Sequence, residues 1–181
     1  FALTNRFGTP ADFRALVEEL HQEGIGVILD WTPAQFPRYA SGLEKFDGTP
    51  LYERQNPAEA IHPFWGTLLY NYGSPMVKDF LISNACFWAE VYHADGLRMD
   101  DVDAMLYLDY GRNPGEWTPN IYGTNENLDA LEFLKHLNSV IKERNPGLLL
   151  VAQENGLWPE LTDSVENDHL GFDYKWSGGW T

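Results

Sequence analysis

The sequence predicts an α/β fold built on a parallel sheet. Three observations carry that prediction. A helix-then-strand rhythm repeats three times, the strand segments are short and apolar, and the long connections follow strands and precede helices.

The first helix is expected to start at Thr9, a residue whose side chain caps helices, with Pro10 in the first helical position. Phe13, Leu16, Val17 and Leu20 then recur at helical spacing, and Gly24 ends the helix. The run IGVILDW follows as a strand expected to be buried on both faces. Ser74-Pro75 opens a second helix carrying Val77, Phe80, Leu81, Phe87, Trp88 and Val91, and DGLRMD is its strand. Asn127 or a neighbour caps a third, with Leu128, Leu131, Leu134, Leu137 and Ile141 on one face. It stops at Asn145-Pro146-Gly147, and LLLVAQE is the strand after it. A weaker fourth strand is expected at LGFDYKW.

Two connections are too long to be turns: Trp31 to Ser74, and Val102 to Glu126. Both are rich in Trp, Tyr, Asn and Gly, so they read as ordered. Leaving strands and entering helices, they belong at the C-terminal edge of the sheet, where barrel enzymes build their sites. A whole eight-stranded barrel needs roughly 250 residues, and 181 residues show three or four strands. The sheet is therefore either open and doubly wound or part of a larger barrel. The absence of an initiator methionine and the ending at Gly179-Trp180-Thr181 favour the second, with residues 1–181 a single partial unit.

A net charge of −15 disfavours nucleic acid and anionic membranes as partners. No targeting leader and no membrane-length apolar run can be read. The single cysteine, Cys86, excludes an internal disulfide framework, fits a reducing cytoplasm, and lies in a helical apolar pattern that implies packing. The five histidines lack metal-ligand spacing. The acidic group Asp100, Asp101 and Asp103 lacks the spacing of a calcium loop, so no metal is expected. Phosphate-binding glycine loops are absent and no cofactor is implied.

The candidate chemistry lies at the strand ends. Asp30, then Arg98 and Asp100, then Gln153 and Glu154 close three successive strands. Alternation puts Arg98 and Asp100 on one side. An arginine there keeps a carboxylate ionised, as a nucleophile requires, although a structural ion pair reads equally well from these residues alone. Trp31, Trp65, Tyr70, Tyr72 and Trp117 offer ring faces suited to sugars, with packing as the competing explanation for each.

VILDWTPAQF, DGLRMDDV and LLVAQENG, in that order, resemble three signature regions of the α-amylase superfamily, glycoside hydrolase family 13. FDGTPLYERQNP, WGTLLYNYGSP, DYGRNPGEWTPN and GFDYKWSGGW resemble, more narrowly, the bacterial glycogen branching enzymes, and the likeness begins at RFGTPADFRALV. The resemblance implies part of a (β/α)8 TIM barrel, about strands three to six, acting on α-1,4-glucan chains such as glycogen. The reaction it implies is retaining double displacement, with a glucan 6-hydroxyl as acceptor. It further implies Asp100 as nucleophile, Arg98 as its support, Asp30 as the structural aspartate ending strand three and Gln35 at a sugar-contacting position; Asp30, Gln35 and, on aromatic character, Trp31, Tyr70 and Trp117 are the residues expected around the substrate.

Two positions depart from the family. Gln35 stands where the family has a histidine, and Gln153 where it has the glutamate that is both acid and base. An amide has no proton to give a leaving oxygen, so general acid catalysis would be lost. Glu154 is adjacent, but alternation turns it to the other side of the strand unless a bulge re-aims it. A degenerate glucan-binding protein and an amylase-like hydrolase are the alternative readings. The 181 residues alone are expected to be inactive and to self-associate through open barrel edges.

Overall fold

The computed structural model describes residues 2–178. The expected end of the chain, Gly179-Trp180-Thr181, with the last two residues of GFDYKWSGGW, lies outside them.

The first helix, α1, spans Pro10–Gln22. Thr9 caps it reciprocally: its hydroxyl accepts from the Asp12 backbone N–H at 3.2 Å, and the Asp12 carboxylate accepts from the Thr9 N–H at 2.7 Å. Strand β1 is Ile28–Trp31. The connection to the second long helix is built, as its composition predicts. It holds a two-residue antiparallel pair, β2 (Gln35–Phe36) with β3 (Leu68–Leu69), and a short helix α2 (Pro57–Ala60) between them. Helix α3 runs Pro75–Tyr92, with Ser74 in the cap position but no cap bond from its side chain. Strand β4 is Gly96–Met99, followed at once by the short helix α4 (Val102–Leu106). Helix α5 is Leu128–Arg144, with the Asn127 side chain accepting from the Ala130 N–H. Strands β5 (Leu149–Gln153) and β6 (Tyr174–Trp176) complete the sheet.

The sheet order is β1-β4-β5-β6, all parallel. Helix α3 connects β1 to β4 and helix α5 connects β4 to β5, so these two steps are β-α-β units, while β5 reaches β6 through a connection with only a single 3-10 turn at Val165–Asn167. The fold is a four-stranded parallel arc of the kind that builds an α/β barrel, consistent with the expected class.

Register explains which residues face the helices. Leu29, Leu97 and Leu150 lie in one row across the sheet, and Trp31, Met99 and Ala152 in the next but one. Leu97, Met99, Leu150 and Ala152 are completely buried in the core with Leu81, Phe133, Leu134 and Leu137 from α3 and α5. The intervening row, Asp30, Arg98, Val151 and Tyr174, turns the other way.

One expectation fails here. The first strand is not buried on both faces: Ile28 is half exposed, and along β1 only Trp31 is buried. Among the described residues β1 has a neighbour on one side only, and helices cover one face of the sheet. Leu16 of α1 is likewise exposed, leaving Val17 as that helix's buried anchor. The sixth strand is shorter than LGFDYKW: Leu170 and Phe172 are core residues of the approach, and pairing begins at Tyr174.

Candidate active site at the C-terminal edge of the sheet

The strand ends converge on a cavity of about 730 Å³. Arg98, Asp100 and Asp101 from the end of β4 line it, with Gln153 at the end of β5, Asn155 just after it and Trp176 from β6. The long connections contribute Gln35, Trp65, Thr67 and Tyr110.

Arg98 forms a bridge. Its Nε donates to Asp30 Oδ1 at 2.6 Å and its Nη1 to Asp100 Oδ1 at 2.8 Å. The two carboxylates hold the guanidinium's proton more tightly, outweighing the opposing effect of burial, so its pKa is raised. The Asp100 backbone is anchored by its own N–H on the Trp31 carbonyl at 2.9 Å. Because Met99 pairs with Ala152, the next residues on the two strands, Asp100 and Gln153, are side by side.

Gln153 is bound as an acceptor. Its Oε1 takes the Asp101 backbone N–H at 2.9 Å, which leaves the amide NH₂ as its donor end. Asp101 itself is left-handed, with φ of 61°, a conformation that Asp tolerates better than most side chains. That turn buries its carboxylate, and Oδ2 accepts from both Gln35 Nε2 and His62 Nε2, each at 2.7 Å. His62 is completely buried, and its Nδ1 accepts from the Phe64 and Trp65 N–H groups, so Nε2 carries the ring proton. The Gln35 carbonyl oxygen takes the Thr67 hydroxyl, so both ends of that amide are held. Tyr110 hydrogen-bonds Asp101. Burial first, then the negative charges of Asp101 and Asp103, push its hydroxyl up to about 12, making it a neutral donor.

Glu154 points away from all of this. It is fully buried and ion-paired with Lys175, with the Asp103 carboxyl close by. The Asp103 carboxylate accepts from the Asn155 and Gly156 N–H groups at 2.9 and 3.2 Å. Burial, with Glu154 alongside, pushes Asp103 up to about 6. Gly156 is required here, since a Cβ would overlap the Glu154 carboxylate and lie 3.1 Å from Asp103 Oδ1.

The structure thus brings Asp30, Arg98, Asp100, Gln35 and Gln153 to one edge and keeps other candidates out. Trp31 is buried with its Nε1 on Asn84 Oδ1, because it shares the helix-facing row with Met99 and Ala152. Tyr72 stacks on Phe133 and donates to the Pro33 carbonyl. Tyr70 is buried against Phe36 and reaches only a neighbouring cavity. Trp117 is half-buried and does not line the main cavity, whereas Trp65 lines it and is 71% exposed. Sequence reasoning missed His62, Thr67, Tyr110, Asn155 and Trp176. It met Asp101 only as one of an acidic group.

No family model matches the chain. Curated relatives do. The chain is 55% identical over 180 residues to the 1,4-alpha-glucan branching enzyme of Methylococcus capsulatus, covering 99% of this chain and 24% of that protein. It is 54% identical to the one from Thermobifida fusca, with the same coverage, and 52% identical to the one from Butyrivibrio fibrisolvens, of which it covers 28%. Solved structures agree on the fold. An alpha-amylase from Geobacillus thermoleovorans, complexed with acarbose, superimposes with a TM-score of 0.62 at 22% identity, covering 96% of this chain and 35% of that one. An Anoxybacillus alpha-amylase gives 0.66 at 18% identity, with 95% and 34% covered. Aligned over 99% of its length, the chain is similar throughout to 1,4-alpha-glucan branching enzymes, and it spans about a quarter of the length of the curated relatives it matches.

Proposed function

We propose that these 181 residues supply the nucleophile's side of a (β/α)8 barrel site that transfers segments of α-1,4-glucan to a 6-hydroxyl, in the cytoplasm. Asp100 attacks the anomeric carbon and a glycosyl ester forms as the glycosidic bond breaks. Arg98 holds Asp100 in place and Asp30 holds Arg98. The observation that carries the reading is the Asp30–Arg98–Asp100 bridge at the sheet edge, in a chain 51–55% identical to branching enzymes. Four parallel strands with open edges support a larger barrel around them, and the isolated segment is expected to associate through those edges.

The weak step is departure of the leaving oxygen. Gln153 can hydrogen-bond that oxygen through its NH₂ but delivers no proton, and Glu154 is locked behind the strand with Lys175. Turnover is therefore slow. Replacing Gln153 by Glu in the complete barrel is expected to raise branching about 10²–10⁴-fold, read as loss of amylose–iodine colour with new α-1,6 linkages. Reducing ends appearing without branches would mark a hydrolase instead. Strong activity in the unaltered protein that survives Gln153→Ala but disappears in Glu154→Gln would overturn the assignment of the acid position.

A further inference from the structure

Beside the main cavity lies a second, of about 450 Å³, well within the range of small-ligand sites. Gln35 and Thr67 line both, and the hydrogen bond between their side chains forms the sill from one to the other. The second cavity has a different character. Its walls are Phe36, Tyr70, Leu43 and Pro37, and none of its lining residues is Asp, Glu, Lys, Arg or His. Nothing there would hold a phosphate or a metal ion. The polar side chains among the lining residues are the hydroxyls of Thr32, Thr67, Tyr39 and Tyr70 and the Gln35 amide. An apolar wall with a few hydroxyls suits a neutral ligand that has both an apolar face and a polar edge, as a pyranose ring has.

Tyr39 is the distinctive residue. It is 64% exposed, yet it sits on a braced turn. The Gly42 N–H closes that turn onto the Tyr39 carbonyl at 2.9 Å, and Arg38 donates twice to Glu44 at 3.2 Å across it. A large ring is thus presented to solvent at the mouth of an apolar cavity by backbone that other interactions hold in place.

We propose that this second cavity is a glucan subsite, in which glucosyl units of the chain already lying over Asp100 pass across Gln35 and Thr67 and stack on Tyr39. The occupant follows from continuity: Gln35 and Thr67 line both cavities, so a linear neutral polymer bound in the first can extend across them into the second. The proposal rests on the glucan reading of the main cavity. It adds a length dependence, since a disaccharide filling the first cavity leaves the second empty.

The test is calorimetric titration of the protein with maltose and with maltoheptaose. Tyr39→Ala should weaken maltoheptaose about three- to tenfold, shift maltose less than about twofold, and be reversed by Tyr39→Phe, which keeps the ring. Tyr39 is largely exposed and lies outside the buried core cluster, so circular dichroism should be unchanged. Equal effects on both sugars, or none on either, with binding otherwise intact, would overturn the subsite alone. Binding of neither sugar to the unaltered protein would overturn the glucan reading and the subsite with it.

Discussion

Asp103 offers a prediction that needs no catalysis to check. Its carboxyl is 5% exposed and faces Glu154, with Lys175 ion-paired to that glutamate and Tyr107 nearby. Its pKa rises from 3.8 to about 6 on folding, burial being the main cause and Glu154 adding to it. The folded state therefore holds this proton more tightly than the unfolded chain. Stability is undiminished by this group below 3.8, falls as pH rises toward 6, and stays lower above it. The whole cost is about 3 kcal/mol, of which about 2 accrue between pH 4.5 and pH 8. Asp103→Asn cannot ionise. It keeps one oxygen for the Asn155 and Gly156 N–H groups and gives up the other, a loss of about 1 kcal/mol. The variant should match the unaltered protein near pH 4.5 and exceed it by about 2 kcal/mol at pH 8. Urea unfolding followed by tryptophan fluorescence reads this as a midpoint shift of about 1 M. The exposed carboxylates whose pKa values fall on folding, such as Asp12 and Asp168, are common to both proteins and cancel. A difference that stays constant between the two pH values would refute the argument.

Two further predictions concern folding. Thr9→Ala removes one half of the reciprocal cap on α1 and should cost about 1 kcal/mol of unfolding free energy, measured in urea. Gly96→Ala should cost about 1–3 kcal/mol in the same assay. Its Cβ would lie 3.0 Å from the Leu149 carbonyl oxygen on one side and 3.2 Å from Ile28 Cγ1 on the other, so both neighbouring strands would have to move.

Much of the scaffold was legible because its signals are local. Thr9-Pro10, Asn127 and Asn145-Pro146-Gly147 mark helix ends through cap chemistry that acts within a few residues, and the helices lie where those residues place them. The antiparallel pair β2–β3 was not legible, since two-residue strands contain no period to detect. Nor was the burial of β1, which depends on what stands beside the strand rather than on its composition. Trp31 was assigned to the sugar on aromatic character, yet alternation from Asp30 sends it to the opposite face, and the register with Met99 places it among the helices. The His62–Asp101 bond joins residues 39 positions apart and depends on a left-handed aspartate. No short-range pattern announces either feature.

Asp101 changes how the two family departures are understood. From sequence, Gln35 and Gln153 are separate losses: a histidine at one position and an acid at the other. In the structure they are two arms of one network centred on the residue after Asp100. Gln35 donates to the Asp101 side chain, and Gln153 accepts from the Asp101 backbone. Each amide is matched to a partner of the opposite kind, and His62 completes the set from behind. Reversing one position alone is therefore not a simple restoration. A glutamate at 153 keeps the bond to the Asp101 N–H but adds a carboxyl beside Asp100 and Asp101. Like charges so close favour its protonated form, which is the state a general acid needs. A neutral histidine at 35 also has one donor and one acceptor, but they are fixed on a rigid ring, whereas the Gln35 amide reaches Thr67 and Asp101 from a flexible arm. The change at 153 thus works with the existing network, whereas the change at 35 keeps both bonds only where the ring nitrogens fall on the Asp101 and Thr67 positions.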